Sequence, residues 1–412
     1  MKPKLESAQI PILHHSITHC SICQHKEFKS VFNLPNFPLT EQFGDFDKDF
    51  PVFDQELLLC KYCGHVQLLN VLDPRDLYTP STYAYRIPNT GKIHAEHQYF
   101  LEFILGLSID IQKFNALEIG AGNFQLANFL RKYLPRYSIC EPLMADLNES
   151  IIEGINIIGK FAEDASSEIR SLAPDFIFGR HFLEHVVNPR ELLVTLLSMV
   201  SEETIFCFEV PSLLHLRNQS RFDAIFHQHV QYYDLESISL LVSSLNCEML
   251  NFQYNSLGSN GGSLLFAFRK SGELGAVNHS IFDGIESERV RIEQKAVCIL
   301  EEIANFELDM KSLARSIELS AKPIYGFGAA HMLATLNYHL GGKINSLDFI
   351  LDDNFDLNGC QYKNIDVMIK HPSNVVSLKD STILITSQEN RRTIMNKLIQ
   401  MGVSKILTTN VT

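Results

Sequence analysis

The stretch Ala116-Leu-Glu-Ile-Gly-Ala-Gly-Asn123 decides the fold, because it leads from an apolar strand through a glycine turn into a predicted helix. Gly120 and Gly122 let the backbone pass close to a ligand at the switch point of a doubly wound sheet. Apolar strands are also predicted at Ala116–Ile119, Tyr137–Cys140, Phe176–Phe178 and Thr204–Val210. Helical periodicity between these strands predicts an α/β fold, with helices on both faces of a parallel sheet.

The residues around this turn favour a particular ligand. Where a phosphate-binding turn has a third glycine, this chain continues with Asn123. Glu118 would repel a pyrophosphate but suits a ligand with an ammonium group, such as S-adenosylmethionine. Glu141 ends the next strand, about twenty residues after the turn, where a carboxylate can accept hydrogen bonds from ribose hydroxyls. Ala162 follows the third strand, where it either faces an adenine ring or simply begins a helix.

Two cysteine pairs predict a metal site near the N-terminus. Cys20 and Cys23 form one CxxC unit, and Cys60 and Cys63 form a second unit after an intervening stretch of thirty-six residues. Two such knuckles complete a tetrahedral Cys₄ zinc site, and four thiolates leave no position open for water. Zinc is therefore expected to be structural. Gly64 follows the second pair and suits a turn with positive φ.

The chain divides into three predicted regions. Residues 1–75 form the zinc-binding module, residues 76–275 the cofactor-binding domain, and residues 276–412 a long helix followed by a second α/β unit. The long helix is predicted over 280–320, because its apolar residues recur at intervals of three, four or seven. Strands are then predicted at Pro323–Tyr325, Leu347–Leu351 and Thr382–Thr386. The glycine turn at Gly326 and Gly328 is either an inherited feature of the fold or a platform for a nucleotide.

Histidines cluster after two of the predicted strands. His181 and His185 are four residues apart and share one face if a helix begins there. His227 and His229 lie on the same side of the chain if their segment is extended. Histidine can act as a general base near neutral pH, so all four are candidate catalytic residues. Asn260 and Gly261 form another turn that permits a close approach to the same cleft.

Charge and composition exclude several classes of function. The net charge is −13, and residues 1–75 contain seven Lys and Arg against nine Asp and Glu. This balance argues against nucleic acid or an anionic membrane as a partner. Apolar runs are too short to span a bilayer, and residues 1–16 do not resemble a signal peptide. We therefore expect a cytoplasmic protein with reduced cysteines that acts on a small molecule. The oligomeric state is left open, with a monomer slightly favoured.

Together these motifs resemble the nucleotide-sugar C-methyltransferases of deoxysugar biosynthesis. Leu117-Glu-Ile-Gly-Ala-Gly-Asn123, Glu141-Pro142, Glu209-Val-Pro-Ser-Leu-Leu214, Phe226-His-Gln-His-Val-Gln-Tyr-Tyr233 and Asn260-Gly-Gly-Ser-Leu264 match motifs of that family. The resemblance implies a class I S-adenosylmethionine methyltransferase sheet, preceded by a zinc-binding module that covers the substrate cleft. It also implies a C-terminal Rossmann-like domain that helps to hold the sugar nucleotide.

The resemblance implies a reaction and a set of site residues. Family members deprotonate the carbon beside a ketone on a nucleotide-linked 4-keto-6-deoxy sugar and methylate it at C3. His229 matches the family's base and His185 its LxH histidine, with His181 in the place of an asparagine. Tyr83 and Tyr85 match a YxY element that contacts the sugar, although they could also be packing aromatics.

This chain departs from the family pattern at two positions in the histidine motif. Phe226 replaces a tyrosine and so lacks the hydroxyl that could stabilise an enolate, a loss that typically costs about 10²–10³ in rate. Gln228 replaces a glutamate and cannot orient a histidine by its charge. Either another group takes over these roles, or the acceptor is a hydroxyl or amine of a related sugar or small metabolite. An RNA methyltransferase and a non-catalytic sugar-nucleotide-binding relative remain further alternatives.

Overall fold

A computed structural model describes residues 14–40, 42–77, 91–122, 124–144, 154–256, 261–271, 285–375 and 378–409. The strands are β1 His14–Ser16, β2 Phe28–Pro38, β3 Val52–Cys60, β4 Val66–Leu68, β5 Asn70–Leu72, β6 Asn115–Ile119, β7 Arg136–Cys140, β8 Asn156–Ile158, β9 Phe176–Arg180, β10 Ile205–Pro211, β11 Gln231–Tyr232, β12 Cys247–Asn255, β13 Ser263–Lys270, β14 Ile324–Phe327, β15 Phe349–Leu351, β16 Gln361–Tyr362, β17 Ile365–Lys370, β18 Thr382–Ile385 and β19 Lys405–Leu407. The helices are α1 Pro74–Leu77, α2 Gly91–Gly106, α3 Gln125–Leu130, α4 Ser166–Leu172, α5 Pro189–Met199, α6 Leu213–Asn218, α7 Leu235–Ser244, α8 Ile285–Glu318, α9 Leu333–His339 and α10 Arg391–Gln400.

The central sheet has the strand order β8-β7-β6-β9-β10-β13-β12. The strands from β8 to β10 run parallel, and β13 is antiparallel to both of its neighbours. The order reverses between β6 and β9, so the carboxyl ends of these strands form the crevice where doubly wound sheets bind ligands. The four strands predicted first correspond to β6, β7, β9 and β10, which confirms the predicted fold.

The N-terminal region is built on a long antiparallel pair, β2 and β3, that the sequence pattern did not reveal. Register shifts interrupt this pair between Ser30 and Phe32 and again between Leu34 and Phe37. Each bulge moves the following side chains to the other face, so the period-2 alternation of apolar residues is lost. The sheet continues through β4 to β11, a strand that comes from the loop after β10.

The long helix α8 confirms the predicted helical face. Its buried residues are Ile292, Ala296, Ile299, Ile303, Phe306, Met310, Leu313 and Ile317. They belong to one apolar core together with residues of β2, β3 and the C-terminal domain, so α8 joins the first and last parts of the chain. Neither α8 nor any other helix in the described part of the chain combines the length and apolarity needed to cross a membrane.

The C-terminal sheet has the order β16-β17-β15-β14-β18-β19 and is parallel except for β16. Its glycine turn is tightly packed. A Cβ added to Gly328 would lie 2.3 Å from the Cβ of Ser387, and the φ angle of Gly328 is +105°. Asp352 accepts hydrogen bonds from the backbone N–H groups of Ala329 (2.7 Å) and Asn354 (2.8 Å). Contacts within the C-terminal domain therefore explain why a glycine stands at position 328 and what the Asp352 carboxylate binds.

We predict that Lys295→Met lowers the free energy of unfolding by about 1–3 kcal/mol, because it removes the ammonium that pairs with a partly buried carboxylate and donates to a carbonyl oxygen. The Lys295 ammonium donates to the Gly64 carbonyl oxygen at 2.7 Å and pairs with Asp234. Lys311→Met on the exposed face of the same helix is the matched control. Urea denaturation at neutral pH measures the free energy of unfolding of both variants. Equal stability of the two variants would contradict the prediction.

Candidate active site

A cleft of about 770 Å³ opens at the carboxyl ends of the central parallel strands. Six of the residues singled out in the sequence line it, namely Gly120, Gly122, Glu141, Ala162, His181 and His185. His19 and Gln24 of the cysteine-rich module also line it. The central sheet and the N-terminal module therefore both contribute to the wall of the cleft. Neither His19 nor Gln24 was identified as a site residue from the sequence.

The glycine turn shapes one wall of the cleft. Gly120 has a φ of +72°, and a Cβ there would lie only 2.7 Å from the ring of Phe182. Gly122 has a φ of +53°, and a Cβ there would meet no atom within 4 Å. The turn therefore leaves open space beside its backbone, as the close approach of a ligand requires. Asn123, the next predicted residue, lies outside the described residues.

Glu141 lies at the end of β7 with only 5% of its surface exposed. Its carboxylate accepts hydrogen bonds from the backbone N–H groups of Gly122 at 3.0 Å and Leu143 at 3.2 Å. Burial raises the pKa of Glu141, and these two hydrogen bonds partly offset that rise. The carboxylate is thus held at the cleft wall by backbone groups on both sides, in a position to accept from a ligand hydroxyl.

Glu118 does not line the described cleft. It is buried, and the Tyr137 hydroxyl donates a hydrogen bond to its carboxylate at 2.5 Å. Burial raises the pKa of Glu118 to about 7 even though this hydrogen bond lowers it. The structure therefore shows Glu118 as a buried support beneath the turn, and its predicted contact with an ammonium group stays a prediction.

The four predicted metal ligands converge. The Sγ atoms of Cys20 and Cys63 are 3.6 Å apart, and those of Cys23 and Cys60 are 3.5 Å apart. A tetrahedral ion with bonds of 2.3 Å places its sulfur ligands about 3.8 Å apart.

The two knuckles are closed by left-handed residues. Gly64 has the predicted positive φ, at +69°, and Gln24 occupies the corresponding position of the first knuckle at +66°. Their backbone N–H groups donate to the carbonyl oxygens of Cys60 and Cys20, each at 2.9 Å. The Gln24 amide also donates to the carbonyl oxygen of Cys20 at 3.2 Å, and Gln24 lines the cleft.

Gln231 connects the knuckles to the cleft wall, and sequence reasoning missed it. Its amide oxygen accepts a hydrogen bond from the Ser21 hydroxyl at 2.7 Å and lies 2.9 Å from Nε2 of His65. Its amide nitrogen donates to the carbonyl oxygen of Val187 at 3.0 Å. The only feature of the sequence that points to Gln231 is its position two residues after His229.

His181 and His185 lie on the loop after β9, where a short 3-10 turn replaces the helix that would have placed them on one face. His181 has a φ of +50°, an unusual backbone conformation for a residue with a side chain. Its Nδ1 lies 3.2 Å from the Glu184 carboxylate, which raises the pKa of His181 although burial alone would lower it. Nδ1 of His185 donates to the carbonyl oxygen of Gln228 at 2.8 Å.

His229 lies next to His185, with ring centroids 4.8 Å apart. It is 5% exposed and lies behind His185, outside the described lining of the cleft. The ring of Phe226 is 4.1 Å from that of His229, and His331 of the C-terminal domain is 6.2 Å from Phe226. Burial and the neighbouring histidines His185, His181 and His331 lower the pKa of His229 well below its ordinary value.

His227 and Gln228 bind the N-terminal module, which corrects the expectation that His227 and His229 lie on the same side of an extended segment. The segment turns, because the N–H of His229 donates to the carbonyl oxygen of Phe226 at 3.1 Å. Both ring nitrogens of His227 are engaged, one with the Gln55 amide and one with the carbonyl oxygen of Phe37, each at 3.1 Å. The Gln228 amide oxygen accepts from the Thr40 hydroxyl at 3.3 Å.

Gly261, a predicted substrate contact, is not among the residues that line the described cleft. Gly261 has a φ of +91°, and its carbonyl oxygen accepts from the Gln219 amide. Tyr83, Tyr85 and Asn260 lie outside the described residues.

A buried ion-pair network, which was not anticipated, is centred on Arg180, the residue before His181 of the cleft wall. Arg180 pairs with Glu209 and lies 3.4 Å from Glu96, and the hydroxyl of Ser263 donates to Glu209. Glu209 and Ser263 belong to two of the motifs that carry the family resemblance. The structure connects these motifs directly through the Ser263–Glu209 hydrogen bond, and Arg180 on a third strand pairs with the same carboxylate.

Comparison with known proteins matches three family models along the chain. Residues 20–78 match a family described as "Putative zinc binding domain", residues 92–251 a "Methyltransferase domain" and residues 258–405 a "C-methyltransferase C-terminal domain". The C-methyltransferase NovU of Streptomyces niveus is 22% identical over 327 residues, which is 76% of this chain and 76% of NovU. The chain is an S-adenosylmethionine-dependent methyltransferase that is similar to C-methyltransferases.

Solved methyltransferases align with the central part of the chain. The N-methyltransferase NodS of Bradyrhizobium japonicum WM9, in complex with S-adenosyl-l-homocysteine, is 15% identical over 48% of this chain and 95% of NodS, with a TM-score of 0.34. Magnesium protoporphyrin IX methyltransferase of Synechocystis PCC 6803 is 10% identical over 45% of this chain and 88% of its own, with a TM-score of 0.33. The class I fold of this methyltransferase rests on its strand order and family match, not on these distant alignments.

The residues of the methyltransferase fit both of its cofactors. The sulfur separations suit zinc, which is structural because all four ligands are thiolates. The open space beside Gly122, the buried carboxylate of Glu141 and the apolar side chains of Ile119 and Leu143 suit S-adenosylmethionine. Glu141 and Ala162 both line this cleft, and their predicted contacts with the ribose and the adenine stay predictions.

We predict that loss of zinc weakens cofactor binding as well as stability, because the zinc knuckle carries His19 and Gln24 into the cleft wall. Cys60→Ser should lose the metal and raise the Kd for S-adenosylhomocysteine about tenfold or more, which corresponds to about 1.4 kcal/mol of lost contacts. Metal analysis and calorimetry measure the two effects. Cys298→Ser, at an exposed cysteine on α8, is the control. Undiminished cofactor affinity in the zinc-free variant would refute this coupling.

We predict that Glu141→Ala raises the Kd for S-adenosylhomocysteine about 10²-fold, since hydrogen bonds to a charged group contribute about 1.5–3 kcal/mol each. Calorimetry measures the affinity, and thermal unfolding checks that the variant remains folded. Glu203→Ala, at a side chain that is 87% exposed, should bind like the wild type. A Glu141→Ala protein with wild-type affinity would remove Glu141 from the cofactor site.

Proposed function

We propose that this enzyme transfers a methyl group from S-adenosylmethionine to C3 of a nucleotide-linked 4-keto-6-deoxy sugar, with His229 as the general base. The main support is the position of His229, a buried imidazole beside the cleft wall that contains His185. The similarity to NovU, a C-methyltransferase, and the match to a C-methyltransferase C-terminal domain favour carbon as the acceptor.

The environment of His229 suits a group that must be unprotonated when the substrate arrives. Burial and three neighbouring imidazoles keep its pKa below 6.5, so the neutral form predominates at neutral pH. His185 holds its own tautomer by donating Nδ1–H to the Gln228 carbonyl oxygen. We therefore propose that His185 separates the cofactor cleft, which it lines, from the base His229 behind it.

The proposed reaction has two steps, removal of a proton from the substrate and transfer of the methyl group. His229 removes the proton at C3, and the electron pair of the broken C–H bond forms the enolate with the neighbouring ketone. The enolate carbon then forms a bond to the methyl group, and the electrons of the broken carbon–sulfur bond stay on sulfur as S-adenosylhomocysteine is formed. Bound S-adenosylmethionine supplies an activated methyl group, whereas the chain supplies orientation, the base and exclusion of water.

The acceptor side of the proposed site is assembled from different parts of the chain. Phe226 presents an apolar ring to His229, and His331 is contributed by the C-terminal domain. His331 follows the glycine turn and can supply a hydrogen bond that Phe226 cannot. We assign Tyr83, Tyr85, Asn260 and Gly261 to substrate binding on the family resemblance, with the nucleotide held by the C-terminal domain.

We predict that His229→Ala lowers kcat about 10²–10⁴-fold, the usual contribution of a general base, without weakening the binding of S-adenosylhomocysteine. Transfer of labelled methyl to a panel of keto, amino and hydroxy sugar nucleotides measures the first effect, and calorimetry measures the second. His371→Ala, in the C-terminal domain, is the control.

The pH profile provides a further criterion for this prediction. Because the pKa of His229 is lowered, the wild-type acidic limb of kcat/KM should lie below pH 6.5. Unchanged turnover in His229→Ala would exclude His229 as the base. Failure of the wild type to methylate any sugar nucleotide in the panel would overturn the proposed function itself.

A further inference from the structure

Glu184 occupies the centre of the histidine cluster, and no motif in the sequence identified it. Its side chain is fully buried, with one carboxylate oxygen 3.2 Å from Nδ1 of His181 and 3.9 Å from Nε2 of His229. The second carboxylate oxygen has no hydrogen-bond partner among the described residues. The N–H of Val230 donates to the backbone carbonyl of Glu184 at 2.8 Å, which fixes the Glu184 loop against the His229 turn.

The positive charge that His229 would acquire as a base is unfavourable in its surroundings. When it takes a proton it becomes a cation, yet it is buried and surrounded by His181 and His185 from the loop after β9 and by His331 from the C-terminal domain. Phe226, on its own turn, offers no charge. Within the described part of the chain, Glu184 is the carboxylate that lies within 4 Å of the His229 ring. A nearby negative charge stabilises an imidazolium as it forms.

Other charged groups do not substitute for Glu184. Glu209 is already paired with Arg180, and this pair faces His181 rather than His229. The Tyr233 hydroxyl, also near Glu184, donates to the carbonyl oxygen of Leu183 at 3.2 Å. Gln228, adjacent to the base in the chain, is neutral and is held by Thr40.

The same residues also permit a metal site, because donor atoms of Glu184, His185 and His229 lie within 4.8 Å of one another. Ligands of a tetrahedral zinc ion bonded at about 2.0–2.1 Å are separated by about 3.3–3.4 Å. The separation of 3.9 Å between Glu184 and His229 exceeds that value. The cysteine cluster, by contrast, has sulfur separations of 3.5 and 3.6 Å, close to those of a bound ion. The geometry therefore favours an ion pair over a second metal.

We propose that Glu184 is the positioning residue of the base, oriented between His181 and His229 so that its carboxylate stabilises the positive charge that His229 acquires on deprotonating C3. This inference rests on the proposed function, because it assigns a partner to the base of that reaction. Glu184 thereby supplies, from the loop after β9, the charge that Gln228 does not provide.

Glu184→Gln tests the proposal, since it removes the charge and keeps the shape of the side chain. We expect kcat to fall about 10²-fold, while the Kd for S-adenosylhomocysteine changes less than about twofold. The acidic limb of kcat/KM should move to lower pH, because His229 without its carboxylate is harder to protonate. Glu184→Asp, which retains the charge, should keep the wild-type pH profile even if kcat falls, and Glu203→Gln is the surface control.

Solvent exchange separates the base from the methyl transfer. A 4-keto-6-deoxy sugar nucleotide incubated in D₂O with the enzyme and S-adenosylhomocysteine should gain deuterium at C3, more slowly with Glu184→Gln. If the wild type neither exchanges nor methylates, the proposed function fails. If it does both and Glu184→Gln matches its rate and pH profile, only the role of Glu184 fails. Two zinc ions per wild-type chain and one in Glu184→Gln would overturn the proposal in favour of a metal centre.

If Glu184→Gln does not fold, Glu184→Asp decides the question. An acidic limb shifted away from that of the wild type in this charged variant would contradict the proposal.

Discussion

The pairing of β11 with β4 is the constraint on which the site depends. Gln231 and Tyr232, directly after the histidine turn, add a strand to the sheet of the cysteine-rich module. The turn that carries His229 is therefore held between two sheets, and its conformation depends on both. Hydrogen bonds from Gln55 and Thr40 to the same turn extend this contact. The zinc module thus builds part of the site.

Local patterns in the sequence predicted much of the fold and the cofactor cleft. The strands of the central sheet are continuous apolar runs, and the glycine turn requires φ angles that few residues adopt, so both are visible without tertiary context. The β2–β3 pair was hidden because bulges interrupt its alternation. The sequence left the conformation around His227 open, because this segment contacts Phe37 and Gln55, which are distant in the chain.

The arrangement of the ionisable residues in the site could also be predicted only in part from the sequence. Sequence spacing identified His181, His185 and His229, but it could not show that Glu184 would point between them rather than outward. Such a placement depends on the left-handed backbone at His181 and the short 3-10 turn that follows it. Gln231 and His331 also acquire their positions only through contacts between distant segments. Long-range packing, which no local pattern encodes, therefore completes the chemistry of the site.

The shared sheet also has a consequence for evolution by recombination. A zinc module transferred between relatives at the boundary near residue 78 would arrive without β11, because that strand is encoded more than 150 residues later. The transferred piece would have to pair with the β11 of the recipient chain and with the residue that stands there in the place of Gln231. Lineages of this enzyme are therefore expected to inherit the module and the histidine turn together, so that changes in one select for compensating changes in the other.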